Sequence, residues 1–118
     1  MQYEYFYGAQ AEQFSFYRIP KALFTEPNFR ELSTDAKVLY GILLDRMSLS
    51  LKNQWLDAQN KVYIIFTVEE IMDALNCANQ KATRLMVELE KQAGLIERKR
   101  QGLGRPNLIY VKNFAATI

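Results

Sequence analysis

Two short runs in the last forty residues carry side chains that can hold a polyanion. The first is Asn79, Gln80, Lys81, Thr83 and Arg84. In a helix these fall away from the stripe Ala82, Leu85, Met86 and Leu89, which must face a core. Arg can bond guanine with two N–H groups, and Asn or Gln can do the same with adenine. The start of a helix adds backbone N–H groups that donate to phosphate. The second run is Arg98, Lys99 and Arg100, followed by Gly102, Gly104, Arg105 and Asn107. Here glycines allow a tight turn and cations flank it, so the tip can lie along phosphates or a minor groove. An ordinary solvated polar face is the plain alternative for the first run, and a basic hairpin alone is weak. One directly after the other is a specific pattern.

The elements that must position these runs can be read from periodicity. Thr67 with Glu70 three residues on is a capping box, and Val68, Ile71, Met72 and Leu75 supply the apolar face of the helix it opens. Asn76 ends that helix because Asn tolerates the left-handed conformation. The next helix spans residues 79–92, with Gly94 placed to stop it. Residues 95–98 and 108–111 read as two strands around the glycine loop. Helix, tight turn, helix and basic hairpin predict a winged helix-turn-helix, mainly α with a small β-hairpin wing.

Upstream, residues 21–24 form a short helical piece after Pro20, ending near Pro27. A long helix opens at residues 33–35 with Thr34 as its N-cap. Ala36, Leu39, Tyr40, Leu43, Leu44 and Met47 give it a core face that fades by Ser50. The β-branched and aromatic run at residues 62–66 reads as a strand. Its start pairs with Trp55 and Leu56 in a small hairpin, where Trp55 is an anchor rather than a base-stacking group. Residues 1–18 are an arm dense in aromatics (Tyr3, Tyr5, Phe6, Tyr7, Phe14, Phe16, Tyr17) without helical period. Such a surface must pack, either on its own domain at residues 19–118 or on a second chain.

Composition narrows the function. The chain has 118 residues, 49% of them apolar, enough for one domain with a real core. No apolar run is long enough to span a membrane, and the first thirteen residues do not read as a signal peptide. There is no histidine, and the single Cys77 excludes an internal disulfide and a zinc site; it reads as a free buried thiol in a reducing cytoplasm. The net charge of +2 hides an asymmetry: residues 1–78 balance to −3 and residues 79–118 to +5. The positive field lies where the winged pattern lies. No cofactor or metal is expected. An enzyme is the weakest reading, since no acid–base pair stands out and Asp45 and Asp57 read as surface or turn residues.

A family resemblance covers residues 14–114. It begins at Phe16-Tyr17-Arg18-Ile19-Pro20 and runs on to Phe24. It continues through residues 32–40, residues 44–50, and Lys52-Asn53-Gln54-Trp55. It ends with residues 94–107, which include Gly102-Leu103-Gly104-Arg105-Pro106-Asn107, and residues 109–114. This pattern resembles the N-terminal domain of the RepA_N plasmid replication initiators of low-GC Gram-positive bacteria. The resemblance implies a winged helix that binds repeated duplex DNA sites at a replication origin. It puts the DNA-contact roles on the helix from Asn79 and the loop around Gly102. It also implies that the chain is the N-terminal piece of a longer protein, whose C-terminal domain meets host replication factors. Two rivals share the fold: a transcription regulator with the same DNA chemistry, and a protein-interaction winged helix that never touches DNA. One recognition helix per chain calls for repeated sites or a partner, so a homodimer using the aromatic arm is expected.

Overall fold

A computed structural model describes residues 2–8 and 13–115. Parts of the expected arm, and residues 116–118, lie outside them. Among the described residues the order is α1 (Ala22–Thr25), a 3-10 turn (Pro27–Phe29), α2 (Thr34–Lys52), α3 (Val68–Leu75), α4 (Asn79–Val87) and strands β1 (Ile96–Lys99) and β2 (Leu108–Val111). The strands pair antiparallel, with Ile96 opposite Val111 and Lys99 opposite Leu108.

Helix α2 is the central post. Ala36, Leu39, Tyr40 and Leu43 are buried on its inner face, and Leu44 and Met47 pack partly against the same core. Leu23 and Phe29 close that core from one side, Ile71, Leu85 and Leu89 from another, and Ile96 and Ile109 from beneath the wing. The Tyr40 hydroxyl donates to the carbonyl of Lys112 at 2.7 Å, tying the chain after β2 to the post. Burial raises the Tyr40 pKa to about 12. On the outer face of α2, Gly41 permits a close approach: a Cβ there would stand 2.9 Å from the Arg18 carbonyl oxygen. The end of the arm is therefore seated on the helix at this point.

The helix starts follow chemistry, with one correction. The cap of α2 is Ser33, not Thr34: its Oγ accepts from the Ala36 N–H at 3.1 Å. Ala36 has no side chain to return the bond. Glu88, from the end of α4, does so instead. It accepts from the Ser33 N–H at 2.9 Å and from its hydroxyl at 2.8 Å. The capping box at Thr67 and Glu70 is present, and Arg46 of α2 binds the outer oxygen of Glu70 while lying over the Phe66 ring at 5.0 Å. Asn76 adopts φ 51° and ψ 54°, the left-handed turn between α3 and α4.

The strand expected over residues 62–66 is reduced to single rungs. Leu56 pairs with Val62, as the small hairpin requires, and Ile64 pairs with Ile109 of β2. Ile64 is buried, whereas Ile65 and Phe66 turn toward α3 and are half-buried. The capped start of α3 at Thr67 ends the extended run before it can widen the sheet. Trp55 anchors the hairpin by stacking on Tyr63, with 6.4 Å between ring centroids. Cys77 is half-buried against the core rather than fully buried. The whole is a winged helix-turn-helix: α3 and α4 joined by a tight turn, then the hairpin.

Candidate nucleic-acid interface

The helix α4 differs from its neighbours at its first turn. Ala78 precedes it and offers no side-chain cap, so its opening N–H groups face outward without a protein acceptor from a cap. Asn79, Gln80, Thr83 and Arg84 are exposed, while Ala82, Leu85 and Met86 are buried. The expected division into a core stripe and a polar face is thus present. Asn79 and Thr83 touch across one turn, with the Thr83 hydroxyl 3.4 Å from the Asn79 Oδ1. Lys81 is set apart: its ammonium lies 2.7 Å from the Asp35 carboxylate at the start of α2.

At Glu88 the helix continues as a π-helical turn to Gln92. The turn closes with a bond from the Ala93 N–H to the Glu88 carbonyl at 3.0 Å, and Gly94 at φ 65° releases the chain. Glu88 is buried, with its two carboxylate oxygens bonded to Ser33. Residues two apart on a helix face away from each other, so Glu90 points to the other side and reaches the wing. It accepts from the Arg98 backbone N–H at 3.0 Å and from the guanidinium at 3.0 and 2.8 Å. Burial alone would raise the Glu90 pKa, but the Arg98 bonds outweigh it and hold the carboxyl below its ordinary value. Arg98 thus differs from the other wing cations: it fastens the base of the hairpin to the end of α4.

Beyond Arg98 the wing is open. Residues 99–107 are all exposed, including Lys99, Arg100, Gly102, Gly104, Arg105 and Asn107. Among the described residues, no hydrogen bond or ion pair holds the side chains of Lys99, Arg100, Arg105 or Arg84. The loop is nevertheless built. The Arg105 N–H bonds the Gly102 carbonyl at 3.3 Å, and the Gln101 amide donates to the Pro106 carbonyl at 2.8 Å. Gly102 at φ 115° and Gly104 at φ 77° occupy backbone that other residues avoid. The return limb of the loop faces the start of α3 across a cleft of about 270 Å³, bordered by Thr67, Met86, Arg105 and Asn107.

Asp57 closes a turn rather than a catalytic pair. Its Oδ1 accepts from the N–H groups of Lys61 and Gln59, each at 2.8 Å, and Tyr110 donates to Oδ2 at 3.1 Å. The Lys61 N–H leads the causes that lower its pKa. Sequence reasoning gave no part to Glu90 and missed the bonds between Ser33 and Glu88. Nothing in local spacing marks either pairing, because each joins residues on different elements.

Known proteins match this arrangement. The family model for the replication initiator protein A (RepA) N-terminus matches residues 15–118. A 41 kDa protein of Lactobacillus helveticus is 32% identical over 92 residues, which is 78% of this chain and 26% of that protein. The chain therefore spans about a quarter of the length of that curated relative. Among solved structures, an N-terminal domain of a DNA binding protein superposes with TM-score 0.77 and 39% identity, covering 95% of this chain and 85% of that one. A Rep–DNA complex gives TM-score 0.77 and 39% identity, covering 93% and 84%. An MDR initiator gives 0.74 and 40%, covering 93% and 86%. By the extent of the family match, this chain belongs to the replication initiator protein A (RepA) N-terminus family.

Proposed function

We propose that this chain binds double-stranded DNA sequence-specifically and serves as the origin-recognition module of a plasmid replication initiator. One observation carries the reading: an uncapped helix with an exposed polar first turn adjoins a hairpin whose tip cations, Lys99, Arg100 and Arg105, have no partner among the described residues. Arg84 and Gln80 read base edges from the major groove, with Asn79 and Thr83 beside them. Lys99, Arg100 and Arg105 meet phosphates or the minor groove. The Rep–DNA complex among its structural neighbours supports DNA as the partner.

The module binds and is not itself an enzyme; it acts in the cytoplasm without a cofactor. Host replication factors meet other parts of the longer protein. The described aromatics of the arm support a homodimer: Tyr3 is 84% exposed and Phe6 59%, which is costly for an arm with no partner. Deleting residues 1–13 should convert a dimer to a monomer in sedimentation. A monomeric parent chain, or a dimeric truncation, ends that part of the proposal.

The test of DNA reading is selection of duplexes from a random pool. Arg84→Ala should weaken the selected site by about 1–3 kcal/mol and relax one base position. Equal loss on selected and random duplex would assign Arg84 to phosphate only. A promoter motif in place of repeated origin sites would favour a transcription regulator, and no salt-sensitive binding at all would favour a protein-interaction module.

A further inference from the structure

The wing tip carries a residue that neither folding nor phosphate binding explains. Leu103 is 105% exposed, the largest value among the exposed apolar side chains described. It is flanked by Gly102 and Gly104 and stands at the second place of the turn closed by the Arg105 N–H on the Gly102 carbonyl. Gly104 at φ 77° supplies the positive third place that a type II turn demands. A turn of this kind projects its second side chain away from the hairpin. Water-facing turns ordinarily carry Asn, Asp or Ser. Here an aliphatic side chain tops the loop, and the turn is braced from below by Gln101 on the Pro106 carbonyl. Arg100 and Arg105 are exposed on either limb.

We propose that Leu103 is a specificity-determining wedge that enters a base-pair step of duplex DNA from the minor groove. This rests on the DNA-binding reading above and deepens it. Charge complementarity commits the tip to DNA: the cations on both limbs can hold the two phosphate backbones that border a minor groove. The apolar side chain between them then meets deoxyribose C–H groups and, at an opened step, the faces of the bases, which are the apolar surface available there. Insertion unstacks the step and kinks the duplex away from the protein. Pyrimidine–purine steps unstack most readily, so the wedge selects such a step without a hydrogen bond to any base. The glycines on both sides leave the backbone narrow enough to follow the side chain inward.

The test uses the 118-residue chain and a duplex it selects, with dyes at both ends and 2-aminopurine placed successively along the wing-side half. Wild type should shorten the end-to-end distance and brighten 2-aminopurine at one step. Leu103→Asn, which suits the turn, should abolish both signals and weaken the selected site about tenfold. Its salt slope should be unchanged, because no charge is removed. Arg105→Ala should do the reverse, lowering the slope and keeping the kink. Melting temperature should be the same for all three proteins, since the tip touches nothing in the core. A straight duplex with wild type, or a kink retained by Leu103→Asn, overturns the wedge while DNA binding stands. Absence of salt-sensitive duplex binding by wild type overturns the DNA-binding reading, and the wedge with it.

Discussion

The base and the tip of the wing hold the same kinds of residue and put them to opposite uses. At the base, Ile96 and Ile109 are buried, Ile64 adds a rung, and Arg98 is clasped by Glu90. At the tip, Arg100 and Arg105 are exposed and Leu103 touches only water. Arg98 and Arg100 stand two residues apart in the sequence. Their difference comes from what lies across from each: a carboxylate on the π-helical turn faces one, and solvent faces the other. A cation held inside the fold sets geometry, whereas a cation left outside is available to a partner.

The sharpest contrast lies in stability. Ile109→Ala removes a side chain buried in the same core as Ile64 and Ile96, and it should cost about 2–5 kcal/mol. At roughly 4 °C per kcal/mol for a domain of this size, the melting temperature should fall by roughly 8–20 °C. Side-chain substitutions at Arg100, Leu103 or Arg105 should leave it unchanged. A comparable loss from any tip substitution would show that the tip packs after all.

Next comes the clasp. Arg98→Ala removes charge-assisted bonds from a carboxylate that is 15% exposed and should cost about 1.5–3 kcal/mol. The loss should depend on pH. Because Arg98 holds the Glu90 pKa below its ordinary value, the stabilisation is whole above about pH 4.3, the unfolded carboxyl value. It disappears as pH falls through the lower folded value. Chemical denaturation of both proteins from pH 7 downward should therefore bring their stabilities together in acid. Curves that stay parallel would mean that the clasp matters by packing alone. The same variant should also weaken DNA binding by loosening the wing, and Arg105→Ala should not alter stability at all. Arg105→Ala instead should lower the salt slope of binding by about one ion.

These contrasts mark what the chain discloses as sequence. Helix periods, the Thr67 capping box, the Asn76 turn and the glycine loop all depend on neighbours within four residues, so they are legible before folding. The polar face of α4 is legible for the same reason. Long-range pairings are not. The cap bond from Ala36 to Ser33 is local, but Thr34 offers the same chemistry one residue on, and the bonds to Glu88 that mark Ser33 span 55 residues. The run at residues 62–66 has the composition of a strand, yet only Ile64 finds a rung on β2, since the rest of the run must turn into α3. Arg98 looks like its neighbours until Glu90 is in place.

The smallest expected effect concerns Lys81, which belongs to neither side of the comparison. It lies on α4, the helix proposed to face DNA, but is paired with Asp35 at the start of α2. The two side chains are 42% and 52% exposed, so water and salt screen the pair and it contributes only about 0–1 kcal/mol. A phosphate arriving at the first turn of α4 competes with Asp35 on nearly equal terms. Asp35→Asn should release Lys81, steepening the salt dependence of duplex binding by a fraction of an ion while changing stability little. Some stability is lost by another route, because a negative charge near the start of α2 also favours that helix. A double-mutant cycle with Lys81→Ala separates the two, as the helix contribution survives loss of the lysine and the pairing does not. If Asp35→Asn leaves the salt slope unchanged, Lys81 is a positioning cation like Arg98, and α4 meets DNA through Arg84 without it.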